Sequence, residues 1–186
     1  YDFCIVNGFT LIFTDNSTSK LFRADSRLRL LTPFLLESSD RNGIRFQPSA
    51  ITASSNGQLF FTNVTDNEIW IVDQNGLVFR FSKINNAFRL AGRKIEYISE
   101  NDHIVVLDHN KLKFINSFGN LRPEYTYNLS QNYASDIAVN GSEIWIGGDM
   151  IECFSIISHN SVFKLSNADL LALGLSNISA ITIEGE

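Results

Sequence analysis

Apolar residues in this chain come in short runs of about four to six, separated by Asn-Gly pairs and other turn-forming clusters. The clearest set lies in residues 48–81, PSAITASSNGQLFFTNVTDNEIWIVDQNGLVFRF. Ala50–Ala53 is a first apolar run, and the turn Ser54–Gln58 after it holds Asn56-Gly57, a strong short-range signal between strands. Leu59–Asn63 is rich in aromatics and suits a pleated, half-buried surface. After the polar stretch Val64–Glu68 come Ile69–Val72, a turn at Asp73–Gly76, and Leu77–Phe81, which alternates with period two. No part of the stretch carries the 3.6-residue period of a helix. It predicts an antiparallel meander of four strands.

The pattern recurs. Its second run has counterparts at Leu11–Asp15, Ile104–Asp108 and Ile144–Gly148, so the starts at 11, 59, 104 and 144 are spaced by 48, 45 and 40 residues. The first runs keep step at Phe3–Val6, Ile95–Ser99 and Asp136–Val139, the third at Lys20–Ala24, Lys111–Ile115 and Ile151–Ile156, and the fourth at Leu28–Leu31, Glu124–Asn128 and Val162–Leu165. Repeats of this length with four strands each are the signature of propeller blades. The expected fold is all-β, a β-propeller of four-stranded antiparallel blades in a single unit over 1–186. Its repeats cover roughly 3–46, 47–93, 94–132 and 133–176, with a partial one at 177–186.

Ser179–Thr182 reads SAIT and matches Ser49–Thr52 residue for residue, which predicts the first strand of a fifth blade. Two arrangements follow: a partial propeller belonging to a ring of roughly six to eight blades, or a four-bladed ring with one surplus strand. The first is expected. It leaves open blade edges through which copies could self-associate. The one helix-like piece is Asn167–Gly174, where Asn167 is the expected cap. Leu35–Gln47 is the longest other insertion.

These residues resemble the repeats of NHL and related six-bladed propellers: Pro48, Ala50-Ile51, Gly57, the aromatic strand Leu59–Asn63, then Ile69–Asp73 and Gly76. The first repeat keeps Leu11–Asp15 and Lys20–Asp25. The third substitutes Leu107-Asp108, and the fourth departs most, with Gly147-Gly148-Asp149. The resemblance implies a propeller more than an activity. Lactonase-type relatives of this architecture hold a divalent metal in the central channel. The positions that this implies here supply only two carboxylates, Glu96 and Asp136, few for an ion that takes six or more oxygens.

Composition narrows the function classes. The 186 residues are 44% hydrophobic, ordinary for a globular core although fifteen Phe is many for this length, and the net charge of −5 offers no attraction to nucleic acid or an anionic membrane. No run reaches the roughly 20 apolar residues of a membrane-crossing helix. Cys4 and Cys153 form no metal-binding or redox spacing, and buried free thiols are expected. The motifs of serine hydrolases, zinc peptidases and nucleotide-binding loops are missing from the sequence.

His103, His109 and His159 fall in turns, the first two flanking the Ile104–Asp108 strand. Asp15, Asn63 and Asp108 recur at one repeat position, which points to turn-making side chains rather than to a catalytic set. Trp70 and Trp145 are expected in sheet packing. Five sequons, at Asn16, Asn63, Asn128, Asn140 and Asn177, exceed the about three that such a composition produces by chance.

The expected function is a non-enzymatic scaffold that binds a protein, peptide or glycan on a loop face, with no cofactor and no catalytic residues. A channel-centred, metal-dependent hydrolase is the alternative. An extracellular or periplasmic setting is expected.

Overall fold

A computed structural model describes residues 2–6, 10–15, 17–25, 32–34, 37–38, 46–72, 77–81 and 94–183. They form four antiparallel blades. Blade 1 is β1 (Phe3–Val6), β2 (Thr10–Asp15), β3 (Lys20–Asp25) and β4 (Thr32–Phe34). A short strand, β5 (Glu37–Ser38), runs parallel to the outer edge of blade 2. Blade 2 is β6 (Pro48–Ala53), β7 (Leu59–Asn63), β8 (Glu68–Val72) and β9 (Leu77–Arg80). Blade 3 is β10 (Lys94–Ile98), β11 (His103–Asp108), β12 (Lys111–Ile115) and β13 (Tyr127–Asn128). Blade 4 is β14 (Ala134–Asn140), β15 (Glu143–Gly148), β16 (Ile151–Ser155) and β17 (Asn160–Leu165). The innermost strands lie side by side in chain order, β1 against β6, β6 against β10, and β10 against β14. The protein is an all-β propeller.

Period-two alternation builds the core, because each strand sends successive side chains to opposite faces of its blade. Leu59 and Phe61 join Ile12, Leu21 and Trp70 between blades 1 and 2. Their neighbour Phe60 points the other way, to Ile95, Ile104 and Val106 of blade 3. The same alternation in blade 3 puts Val105 and Leu107 against Ile144, Ile146 and Phe154 of blade 4. The core is three layers between blades, each large side chain in it contributing about 1.5–3 kcal/mol. Trp70 is fully buried in the first layer.

The turns follow their residues. Gly57 and Gly141 take positive φ after their Asn partners, at 81° and 55°. The equivalent turn of blade 3 contains no glycine, and Asp102 takes the left-handed conformation there at φ 54°. In blade 4 the Gly147-Gly148 pair is explained by crowding. A Cβ on Gly148 would lie 2.0 Å from the Tyr133 carbonyl, and one on Gly147 would lie 2.7 Å from Ile178 Cγ2.

Several expectations need correction. Ser179–Thr182 does not form a strand. Residues 175–183 instead run as irregular chain against blade 4, where Ile178 donates its N–H to Gly148 O at 2.8 Å. The fourth run of the third repeat, Glu124–Asn128, pairs only at Tyr127–Asn128, because Pro123 starts a 3-10 turn over Pro123–Tyr125. The helix spans Asn167–Ala172, capped by Ser166 rather than Asn167, with a reciprocal capping box to Asp169. Leu28–Leu31, Asn7-Gly8 and Asp73–Gly76 lie outside the described residues. The fourth strand described in blade 1 is Thr32–Phe34.

Candidate functional site

Two places gather chemistry: the innermost strands, and a groove where blades 2 and 3 open on a loop face. Strand register puts Asp2, Ala50, Lys94 and Asp136 at equivalent positions of the four blades. The Lys94 ammonium lies between two of them, 2.7 Å from Asp2 Oδ1 and 3.3 Å from Asp136 Oδ1. Burial alone would lower the lysine pKa, but the two carboxylates outweigh it and raise it. Residues of blades 1, 3 and 4 thus meet around one cation.

One step along these strands, Cys4, Thr52 and Glu96 form a second layer. Thr52 Oγ1 donates to Glu96 Oε2 at 3.2 Å and accepts the Tyr97 N–H at 3.2 Å. Burial pushes the Glu96 carboxyl up to about 7, reinforced by the neighbouring Asp2 and Asp136 charges. Burial, with Glu96 and Asp2 beside it, pushes the Cys4 thiol to about 12. Cys4 and Cys153 are both free thiols.

The two carboxylates read from the sequence, Glu96 and Asp136, therefore do lie in the same central region. Asp136 spends one oxygen on Lys94 and the other on the Ile181 N–H at 3.0 Å. Among the described residues no three His, Cys, Asp or Glu side chains converge as a metal shell. A hard divalent ion does not fit this arrangement, because the Lys94 ammonium already lies between Asp2 and Asp136. Asp2 and Lys94 escaped the sequence reading. Their register with Asp136 in the repeat alignment was the available signal.

The other singled-out side chains are dispersed. Asp15 closes the expected turn, accepting from Ser17 N at 2.9 Å and Thr18 N at 3.3 Å. Asn63 differs. It is buried and reaches back to accept Gln47 N at 2.7 Å, tying β7 to the chain that enters β6, so this sequon is closed to a glycan. Asp108 binds Lys113 and His109. His103 begins β11, His109 follows it, and His159 stacks on Tyr125 with ring centres 4.9 Å apart, so the imidazoles form no cluster.

The groove has a volume of about 450 Å³. Cross-strand register lines up Phe60, Ile71 and Phe79 on blade 2, facing Tyr97 and Ile104 of blade 3. Phe81 packs edge-on to Phe60 at 5.0 Å, and Tyr97 lies parallel to Phe60 at 6.3 Å. Ser54, Asn56 and Gln58, from the first turn of blade 2, form a polar rim. Asp102 and the Ser117–Phe118 turn of blade 3 face them. Phe118 and Phe79 are 72% and 42% exposed, so apolar surface is presented to solvent where two blades meet.

No protein-family profile matches the chain. No curated protein is similar to it in sequence. Solved structures are similar in fold. Virginiamycin B lyase from Staphylococcus aureus is 17% identical at a TM-score of 0.66, over 89% of this chain and 55% of that one. Kuenenia stuttgartiensis hydrazine synthase is 15% identical at 0.65, over 88% and 48%. A chain of a nidogen/laminin complex is 11% identical at 0.57, over 89% and 79%. The chain spans about half the length of the first two. At these identities the similarity establishes the fold alone, and enzymes and a binding protein share it.

Proposed function

We propose that this propeller is a binding scaffold that takes a peptide segment of a protein partner in the loop-face groove between blades 2 and 3. The observation that carries this reading is the groove itself. It is open, walled by aromatics from two blades and rimmed by amide and hydroxyl side chains, the usual make-up of a recognition pocket. The nidogen/laminin complex, a protein–protein assembly with a propeller of this kind, supports it by analogy.

Displaying random heptapeptides to the purified protein and to a Phe79→Ala/Phe118→Ala variant tests the reading. Recovered peptides should lose most of their affinity for the folded variant. Equal binding to both proteins would overturn it.

The channel-centred hydrolase has less support, since Lys94 occupies the place between Asp2 and Asp136 that a metal would need. Titration calorimetry with calcium and zinc decides this point. Stoichiometric binding that Asp136→Asn abolishes would reinstate the metal reading.

A further inference from the structure

We propose that the groove between blades 2 and 3 is a cation site, receiving a Lys or Arg side chain of the bound peptide. This rests on the reading that the loop face binds a peptide. Phe60, Phe79, Phe81, Tyr97 and Phe118 line one cavity. Aromatic faces carry partial negative charge and attract an ammonium or guanidinium placed over them. The aliphatic stem of such a side chain packs against the same rings while its head stays at the polar rim.

The rim supplies the counter-charge. Asp102 is exposed at the groove mouth, and one of its oxygens accepts the Tyr97 hydroxyl. Its second oxygen has no partner among the described residues. Among the described residues, Asp102 is the only carboxylate in the lining.

The only basic side chain in the lining among the described residues, Arg80, does not fill the groove with its own charge. Its guanidinium lies 5.3 Å over the Trp70 ring and 3.9 Å from Asp66. Trp70 belongs to the layer between blades 1 and 2, so this head is turned to the opposite face of blade 2. Lys94 is held by Asp2 and Asp136. The net charge of −5 favours the approach of a basic segment. The cavity is lined by both Asn56–Gln58 of blade 2 and Ser117–Phe118 of blade 3.

The test pans the purified protein against a random heptapeptide display library. The recovered peptides are then synthesised with and without each Lys or Arg replaced by Gln. Basic residues should be enriched, the Gln replacement should weaken binding about tenfold, and added salt should weaken the parent peptide. Asp102→Asn should cause a similar loss without changing the melting temperature, because Asn tolerates the positive φ at this position. Recovered peptides without basic residues, or with equal affinity for the Asp102→Asn protein, would overturn the cation site. Where those peptides still lose affinity for Phe79→Ala/Phe118→Ala, the peptide reading survives that failure. Insensitivity to both variants overturns the two together.

Discussion

Ile181 donates its backbone N–H to the Asp136 carboxylate at 3.0 Å. The bond repeats one made earlier in the chain, where Ile51 N–H meets Asp2 Oδ2 at 3.0 Å. Ile51 and Ile181 are the same residue of the repeated SAIT sequence, and Asp2 and Asp136 are register equivalents. The irregular segment after the helix therefore docks on blade 4 as the first strand of blade 2 docks on blade 1. Asp136→Ala should speed hydrogen exchange of the Ile181 amide by about tenfold, as expected for one lost bond. Asp136→Asn keeps an acceptor and should stay near the parent rate. Equal rates in all three proteins would contradict the docking.

Lys94 joins three blades, so its removal leaves Asp2 and Asp136 facing each other without a counter-ion. Lys94→Met should cost about 2–4 kcal/mol in chemical denaturation. Adding Asp2→Asn and Asp136→Asn should recover much of that loss, since the penalty is uncompensated charge rather than lost volume. No recovery in the triple variant would mean that the lysine acts by packing.

Glu96 gives stability a definite pH dependence. Its carboxyl is raised from the ordinary 4.5 to about 7, so between these values the folded protein holds a proton that the unfolded chain has released. Stability therefore falls as pH rises across this window, and the loss is complete above it. Glu96→Gln, neutral throughout, should be more stable than the parent by about 2–3 kcal/mol at pH 8. The difference should vanish below pH 4.5. A constant difference across the range would count against the assignment.

Glycines 147 and 148 should respond unequally to alanine. At 148 the added carbon meets backbone, the Tyr133 carbonyl at 2.0 Å, which cannot move aside cheaply. At 147 it meets the Ile178 side chain at 2.7 Å, which can turn. Gly148→Ala should destabilise by about 3 kcal/mol and Gly147→Ala by about 1 kcal/mol, measured by denaturation. The reverse order would contradict the packing described.

Inner strands were the most legible part of the sequence. Leu59–Asn63 and Lys111–Ile115 are strands over the stretches read from their patterns, because burial from Leu59 to Asn63 and from Leu112 to Ile115 selects large apolar side chains at most of these positions. Outer strands were harder, since one edge meets solvent and packing there constrains composition less. Glu124–Asn128 shows this, with Pro123 an unused warning of the turn. The Ser166–Asp169 capping box was also present in the sequence, one residue before the cap expected there.

The candidate sites were less legible because both depend on meetings between distant residues. Lys94 reaches a residue 92 positions away at Asp2. The aromatic alternation of Phe79 and Phe81 predicted a strand. It carried no sign that the turn at Asn56 would face the turn at Asp102 across a cleft.

The two thiols have a practical consequence. Burial sets the Cys4 pKa at about 12 and that of Cys153 at about 11, with nearby carboxylates adding to the effect. The reactive thiolate is then a fraction on the order of 10⁻⁴ or less at neutral pH. The native chain is chemically quiet toward maleimides and iodoacetamides. A single cysteine introduced at exposed Ser117 would carry a fluorophore at the groove mouth with almost no background, and would report occupancy of the cleft as a change in emission.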